Sequence, residues 1–272
     1  MIETQEFLRT LRTTYAYETP AQPTKRTSDR VLGKMDFWYY RRLMGVILLG
    51  GRLYRANLYN RENWQDLSLD MWRAVEGCDG RAEVTGLEHL DTLAGPAVIV
   101  ANHMSMLETF MIPAVVLPFT HMTFVVKREL MRVPLFRSVM LGVQPIVVTR
   151  DNPREDMKVL MEEGQRVLAG GRSIVVFPQS TRSPVLRPGQ FNSIAVKLAK
   201  RANVPVLPLA LKTDFQALGS WVKDVGRIHR DRKVCFAFGA AMTVEGNGRE
   251  QQEGILDFIK TQYRSWGGPV EE

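Results

Sequence analysis

The sequence predicts an α/β fold, a mostly parallel central sheet flanked by helices, behind a helical N-terminal segment. Three observations carry this. Between Ala97 and Tyr263 short apolar runs alternate with amphipathic stretches, as when strands are joined by crossover helices. The chain has 272 residues, 45% hydrophobic and 24% charged, enough to enclose one sizeable core. A short apolar run interrupts an otherwise polar beginning, and its aromatic and arginine flanks are those of a helix rather than a strand.

Taken in order, residues 1–33 are polar and Thr-rich, and "TPAQPTKRTSDR" reads as a flexible tail. The opening "MIETQEFLRTLRTTY" lacks the apolar core of a signal peptide. Residues 34–79 are expected to form a helical hairpin. Its first helix, "MDFWYYRRLMGVILLGGRLYRANLY", has an apolar centre too short to span a bilayer. Phe37, Trp38, Tyr39 and Tyr40 flank it on one side, and Arg52, Tyr54 and Arg55 on the other. Such flanks suit a helix lying in a membrane interface, and the same stripe also suits packing on the protein's own core. Gly45, Gly50 and Gly51 weaken the helix in either case. Residues 61–79 read as a second, more polar helix.

Residues 80–272 are expected to form the α/β domain. "GRAEVTGLEHL" gives a short strand and a turn. Further strands are predicted at Ala97–Ala101, Met122–Val126, Val143–Thr149, Ser173–Phe177, Pro205–Leu211 and Val234–Phe238. Helices are predicted at Ser105–Val116, Pro134–Met140, Pro153–Ala169, Gln190–Arg201 and Glu250–Tyr263.

The formal net charge is +7, and residues 1–60 hold ten Lys/Arg against five Asp/Glu. This excess suits an anionic partner. The aromatics gather in the N-terminal segment and do not interleave with the basic stretches, which argues against nucleic acid. Cys78 and Cys235 lie far apart in no ligand-like spacing, so neither a disulfide framework nor a zinc site is expected.

In parallel sheets, sites collect at the carboxyl ends of strands. "NHMSMLE", Asn102–Glu108, follows the run "AVIVA" and places His103 at such an end, five positions before Glu108. Ser105 and Glu108 also make an S-x-x-E capping box, which explains both residues without catalysis. "FPQSTRS" follows "SIVV" and brings Gln179, Ser180, Thr181 and Arg182 to a second strand end, where an arginine can fork onto a phosphate. Arg150 ends "VQPIVVTR" and Lys127 ends "MTFVVK". From Gly164 to Thr213 there are eight Lys/Arg and no Asp/Glu, a composition that predicts a positive surface or groove.

These blocks, in this order and over roughly Arg81 to Tyr263, resemble the glycerolipid acyltransferase family, which includes the 1-acylglycerol-3-phosphate acyltransferases. The family's N-H-x4-D block is matched by "NHMSMLE", with Glu108 for aspartate. Its F-P-E-G-T-R block is matched by "FPQSTR", with Gln179 and Ser180 departing. Its block ending in arginine is matched at Arg150, with Gln144 where glycine is expected. Its apolar strand with a proline is matched by "VPVLPLAL".

The resemblance implies an O-acyltransferase of phospholipid biosynthesis. Such an enzyme moves a fatty acyl group from an acyl thioester, acyl-CoA or acyl carrier protein, to a lysophospholipid hydroxyl, with no metal and no further cofactor. It makes His103 the general base and Glu108 its orienting acid, with backbone N–H groups near the helix start available to an oxyanion. Asn102, Lys127, Arg150, Gln179, Ser180, Thr181 and Arg182 become substrate-binding residues. An anionic membrane surface is the expected partner, and the cytoplasmic face of a membrane the expected location, peripheral or monotopic. The departures leave two alternatives open: another acceptor, such as a lyso-ornithine lipid or a glycolipid, or a lipid-binding homologue without catalysis. No G-x-S-x-G hydrolase motif is present, and "GGRS" lacks the lysine and the upstream spacing of a phosphate-binding loop.

Overall fold

The computed structural model describes residues 2–149, 151–179 and 181–271. In chain order the elements are α1 (Thr4–Thr14), β1 (Tyr17–Glu18), α2 (Thr27–Leu32), α3 (Asp36–Arg55), α4 (Arg61–Gly77), β2 (Ala82–Thr85), α5 (Glu88–Asp91) and β3 (Val98–Ala101). There follow α6 (Leu107–Val116), β4 (Met122–Lys127), α7 (Arg128–Arg132), α8 (Pro134–Val143), β5 (Ile146–Val148), α9 (Pro153–Ala169) and β6 (Ser173–Val176). The chain closes with α10 (Ile194–Ala202), β7 (Val206–Lys212), β8 (Val234–Phe238) and α11 (Arg249–Ser265).

The eight strands form one sheet in the order β1-β2-β8-β7-β3-β6-β4-β5. The run from β7 to β5 is parallel throughout, and β2 also pairs parallel with β8. Antiparallel pairing enters where β8 joins β7 and where β1 joins β2. The sheet is covered on both faces, as a parallel sheet must be. Alternation along β3 shows the division. Ile99 and Ala101 face the apolar cluster built with α1, α3, α4, α6 and α8. Val98 and Val100 face the cluster built with α9, α10 and α11.

The N-terminal segment corrects the expected flexible tail: residues 4–32 are largely built into the fold. In α1, Phe7 and Leu11 are four apart, lie on one helix face and are fully buried. Phe7 meets Tyr17 at 4.9 Å and Trp72 at 5.7 Å between ring centroids. Tyr17 donates a 2.6 Å hydrogen bond to the buried carboxyl of Glu76, and Thr19 donates to the same oxygen at 3.0 Å. The segment looks polar because its few apolar residues are spaced to meet one surface.

The hairpin helices are present, and they too join the sheet-facing core. α3 packs against α4 and α8. Two glycines permit close approach there. A Cβ on Gly50 would lie 3.1 Å from Val139, and one on Gly142 would lie 2.6 Å from the Tyr59 ring. Thus Gly50, expected to weaken the helix, is a packing seat. Elsewhere the boundaries shift. Val143 ends α8, and Gln144 takes a left-handed backbone there, so β5 begins only at Ile146 rather than at Val143. α10 starts at Ile194 rather than Gln190, after a 3-10 turn.

Truncating the Phe7 side chain would leave a cavity beside Trp72. Phe7→Ala is expected to cost about 3–5 kcal/mol of stability in a urea titration. An unchanged midpoint would show that α1 does not pack.

Candidate active site

β3 lies between β7 and β6, and the chain leaves its carboxyl end at Asn102. The side chain of Asn102 bonds both polar groups of one residue on the neighbouring strand. Its Nδ2 donates to the Leu211 carbonyl at 2.8 Å, and its Oδ1 accepts from the Leu211 N–H at 2.8 Å. Both ends are consumed, so the expected substrate-binding role of Asn102 is corrected to fixing where the strand ends and the loop begins.

The next residue, His103, is held from three sides. Its Nδ1 lies 2.7 Å from Glu108 Oε1. Its backbone N–H donates to Gln179 Oε1 at 2.7 Å, and its carbonyl accepts from the Ser183 N–H at 3.0 Å. The ring stacks on Phe177, 4.3 Å between centroids and 21° between planes, and Phe177 stacks in turn on Phe124. An ionised carboxylate only accepts, so Nδ1 carries a proton, and in the neutral ring Nε2 is the nitrogen with the lone pair. The imidazole is partly exposed and borders the main cavity.

Glu108 is fully buried in the first turn of α6, where a helix favours negative charge. Besides His103, its oxygens accept from the N–H of Met104 at 2.8 Å and of Ser105 at 3.0 Å. The hydroxyls of Ser105 and Thr213 add bonds of 2.9 and 2.6 Å. Burial pushes this carboxyl up. Hydrogen bonding and charge from His103, with the bonds from Thr213 and Met104, more than offset that and hold it below its ordinary value. The reach back to Ser105 and the bond to His103 coexist, so the capping and pairing readings are both realised. The extra methylene of glutamate does not prevent contact.

The helix start, however, has fewer spare donors than expected. The N–H groups of His103, Met104, Ser105 and Leu107 are taken by Gln179, Glu108 and Ser105.

The other predicted residues divide. Arg182, Thr181 and Lys127 border the same cavity as His103. Arg182 is ion-paired with Asp224, and Lys127 Nζ lies 3.3 Å from Glu129. Gln179 borders the cavity and is buried, and its oxygen pins the His103 loop, a positioning role beside the expected substrate contact. Arg150 and Ser180 lie outside the described residues.

Of the cations in the acid-free stretch, Arg182 borders the cavity. Arg166 pairs with Glu163 on α9, Arg187 with Glu271 and Lys212 with Asp214, each outside the cavity lining. Sequence reasoning missed Thr213, Phe177 and Asp224. Thr213 directly follows β7, so the strand-end rule that found His103 could have found it. Asp224 carries no such signal.

The cavity has a volume of about 840 Å³. Its polar lining includes His103, Thr181, Arg182, Lys127 and Lys223 with the carboxylates Glu129, Asp156 and Asp224. Its remainder runs between the helical layer and β4, past Phe110, Phe124, Val126, Leu67, Val139 and Met140. Such a space suits an apolar chain attached to an anionic head.

The comparisons with known proteins agree with this geometry. Residues 81–212 match the family model described as Acyltransferase. A 1-acyl-sn-glycerol-3-phosphate acyltransferase of Pseudomonas aeruginosa is 34% identical over 188 residues, 69% of this chain and 68% of that protein. The chain belongs to the glycerolipid acyltransferase family. A chloroplastic relative from Arabidopsis thaliana, also named 1-acyl-sn-glycerol-3-phosphate acyltransferase, is 31% identical over 133 residues; the match covers 48% of this acyltransferase and 36% of that protein. The fold is that of the 1-acyl-sn-glycerophosphate acyltransferase PlsC from Thermotoga maritima. That crystal structure aligns with a TM-score of 0.63 at 19% identity, covering 90% of this acyltransferase and 98% of that chain.

Because the Glu108 carboxyl sits below its unfolded value, the unfolded chain binds the extra proton as pH falls. Its stabilisation is therefore present at neutral pH and lost as pH drops below about 4.5 through the folded value. Urea midpoints of the wild type should fall across that acid range, and Glu108→Gln should flatten the fall while lowering the neutral-pH midpoint. Parallel curves for the two proteins would contradict this account of the carboxylate.

Proposed function

We propose that this acyltransferase moves a fatty acyl group from acyl-CoA or acyl carrier protein to the free hydroxyl of a lysophospholipid such as 1-acylglycerol-3-phosphate, in phospholipid biosynthesis at the cytoplasmic face of a membrane. The observation that carries the chemistry is the His103–Glu108 pair opening onto a largely apolar cavity that Arg182 and Lys127 also border. A lipid hydroxyl is a weak nucleophile at neutral pH. His103 Nε2 takes its proton as the oxygen attacks the thioester carbonyl, while Glu108 steadies the imidazolium. Collapse of the tetrahedral intermediate breaks the C–S bond, and the imidazolium proton passes to the departing sulfur. Arg182, Lys127 and Arg150 hold the acceptor's phosphate and so orient its hydroxyl. The apolar remainder of the cavity takes an acyl chain. The scheme calls for no cofactor beyond the thioester donor.

Two features favour this reading over an altered acceptor or a catalytically silent homologue. Gln179 uses its oxygen beneath the His103 loop, so its departure from the family pattern keeps a loop-positioning bond. The His103–Glu108 pair is fully assembled despite the longer acid. In purified protein with a labelled thioester, His103→Ala is expected to lower kcat/KM by about 10²–10⁴-fold. Equal turnover of the two proteins would eliminate His103 as the base. Mass spectrometry of products from a panel of lysolipids identifies the head group.

Membrane attachment follows from α3. No helix among the described residues is long and apolar enough to cross a membrane. One face of α3 is buried through Tyr39, Leu43, Val46 and Ile47. The opposite stripe, at helical spacing, exposes Phe37, Arg41, Met44, Leu48, Leu49, Arg52 and Arg55. This is the composition of a helix lying in the interface on anionic lipid. Arg42 is not part of that stripe, because it pairs with the buried Asp29 at 2.8 Å. Reversing Arg41, Arg52 and Arg55 to glutamate should weaken cosedimentation with anionic vesicles by at least about tenfold at low salt. Unchanged sedimentation would remove α3 as the contact.

A further inference from the structure

The loop between β7 and β8 holds a tryptophan out in water. Trp221 is 98% exposed, the most exposed large hydrophobic side chain among the described residues, and Val222 and Val225 beside it are more than half exposed. The loop is not slack. Ala217 N–H donates to the Arg227 carbonyl at 3.0 Å, and Gly219 N–H to that of Lys223 at 3.2 Å. Val225 N–H donates to the Val222 carbonyl at 2.8 Å, and Gln216 Nε2 to that of Asp224, also at 2.8 Å. A Cβ on Gly219 would lie 2.2 Å from the carbonyl oxygens of Val222 and Val225, so the turn depends on glycine. The backbone thus presents an apolar tip to solvent, an unfavourable exposure that marks a contact surface.

Two further observations say what the tip meets. Its base is fastened to the first half of α3: Tyr39 Oη donates to Gln216 Oε1 at 3.1 Å, Tyr40 Oη to the Gly226 carbonyl at 2.5 Å, and Ile228 N–H to Asp36 at 3.1 Å. The tip therefore adjoins the helix whose outer face carries Phe37 and Arg41. Lys223 and Arg227 belong to the same loop, and a tryptophan in a cationic loop suits the boundary between head groups and acyl chains. In addition, Asp224, three residues from Trp221 in the same turn, forms the ion pair with Arg182 at the cavity.

We infer that the Trp221 tip is a second lipid-surface contact, continuous with α3, and that Asp224 occupies the Arg182 guanidinium until the tip seats on a bilayer. The second half rests on the reading of Arg182 as a phosphate ligand. Seating the tip brings Arg182 to the head groups, and the acceptor's phosphate replaces the Asp224 carboxylate while the turn keeps its backbone bonds. A partly exposed pair of this kind is weak enough to exchange. Turnover is thereby tied to arrival at the surface where the acceptor resides.

The test compares wild type with Trp221→Ala, Trp221→Phe, Asp224→Asn and His103→Ala. Acceptor is supplied either as monodisperse short-chain lysophosphatidic acid or embedded in mixed phosphatidylcholine–phosphatidylglycerol vesicles, and binding to those vesicles is measured separately by sedimentation. Trp221→Ala is expected to lose about tenfold in vesicle binding and vesicle turnover while matching wild type on monodisperse acceptor, and Trp221→Phe to retain most of both. Asp224→Asn is expected to gain several-fold on monodisperse acceptor and little on vesicles. The surface contact is overturned if Trp221→Ala sediments like wild type, or if its turnover falls equally in both presentations. The gate is overturned if Asp224→Asn shows no gain on monodisperse acceptor. Should His103→Ala keep wild-type turnover while Trp221→Ala loses vesicle binding, the proposed chemistry fails and the surface contact stands.

Discussion

A carboxylate with no access to water sits where three segments converge, and the rest of the site is arranged to make that tolerable. An isolated buried carboxylate costs several kcal/mol or more, and Glu108 is affordable only because every direction around it offers a donor. Two backbone N–H groups and the Ser105 hydroxyl come from the turn after β3, a second hydroxyl comes from the end of β7, and the remaining donor is the imidazole. The strand order makes this convergence possible, since β7 is the immediate neighbour of β3. The acid therefore serves the fold and the chemistry through the same bonds. A change that unseats it disturbs the start of α6, the β3–β7 seam and the tautomer of His103 together.

Around this fixed centre the charges are less committed. Lys127 and Arg182, which border the cavity, have carboxylate partners on nearby surface segments, Glu129 and Asp224. Such pairs hold side chains in place at low energetic cost and yield to a better anion. The imidazole, by contrast, is clamped by backbone bonds and by a ring stacked beneath it. Rigid proton-transfer machinery beside exchangeable anion ligands is what a transfer reaction between two lipid-linked substrates requires: the chemistry must be aimed, and the head group must come and go.

Much of this was legible in the chain. The alternation after Ala97 located the strands of the parallel sheet, because buried strands are apolar along their length and the helices between them are not. The strand-end rule brought His103, Lys127 and Arg182 to one cavity without any knowledge of pairing order. What was not legible depended on contacts between distant segments. Asn102 and Gln179 are polar residues in a motif, and nothing local reveals that their side chains are spent on Leu211 and on the backbone of His103. The acid-free stretch brought Arg182 to the cavity while Arg166, Arg187 and Lys212 pair elsewhere, because charge along a sequence says little about charge across a surface. The first thirty residues misled for a different reason. With few apolar residues they resemble a tail, yet Phe7, Leu11 and Tyr17 occur at the spacing that fills one hollow over Trp72.

That filled hollow has a consequence for the sheet itself. β1 is only two residues long, but it occupies the outer flank of β2, whose backbone groups would otherwise point outward as an open ladder. By laying its first residues along this border, the molecule blunts the place where a second copy would most readily join strand to strand. A shortened chain beginning at the apolar helix would display both a raw ladder and an uncovered indole beside it. Loss of solubility through self-association, on top of lost core packing, is the hazard that the opening segment guards against.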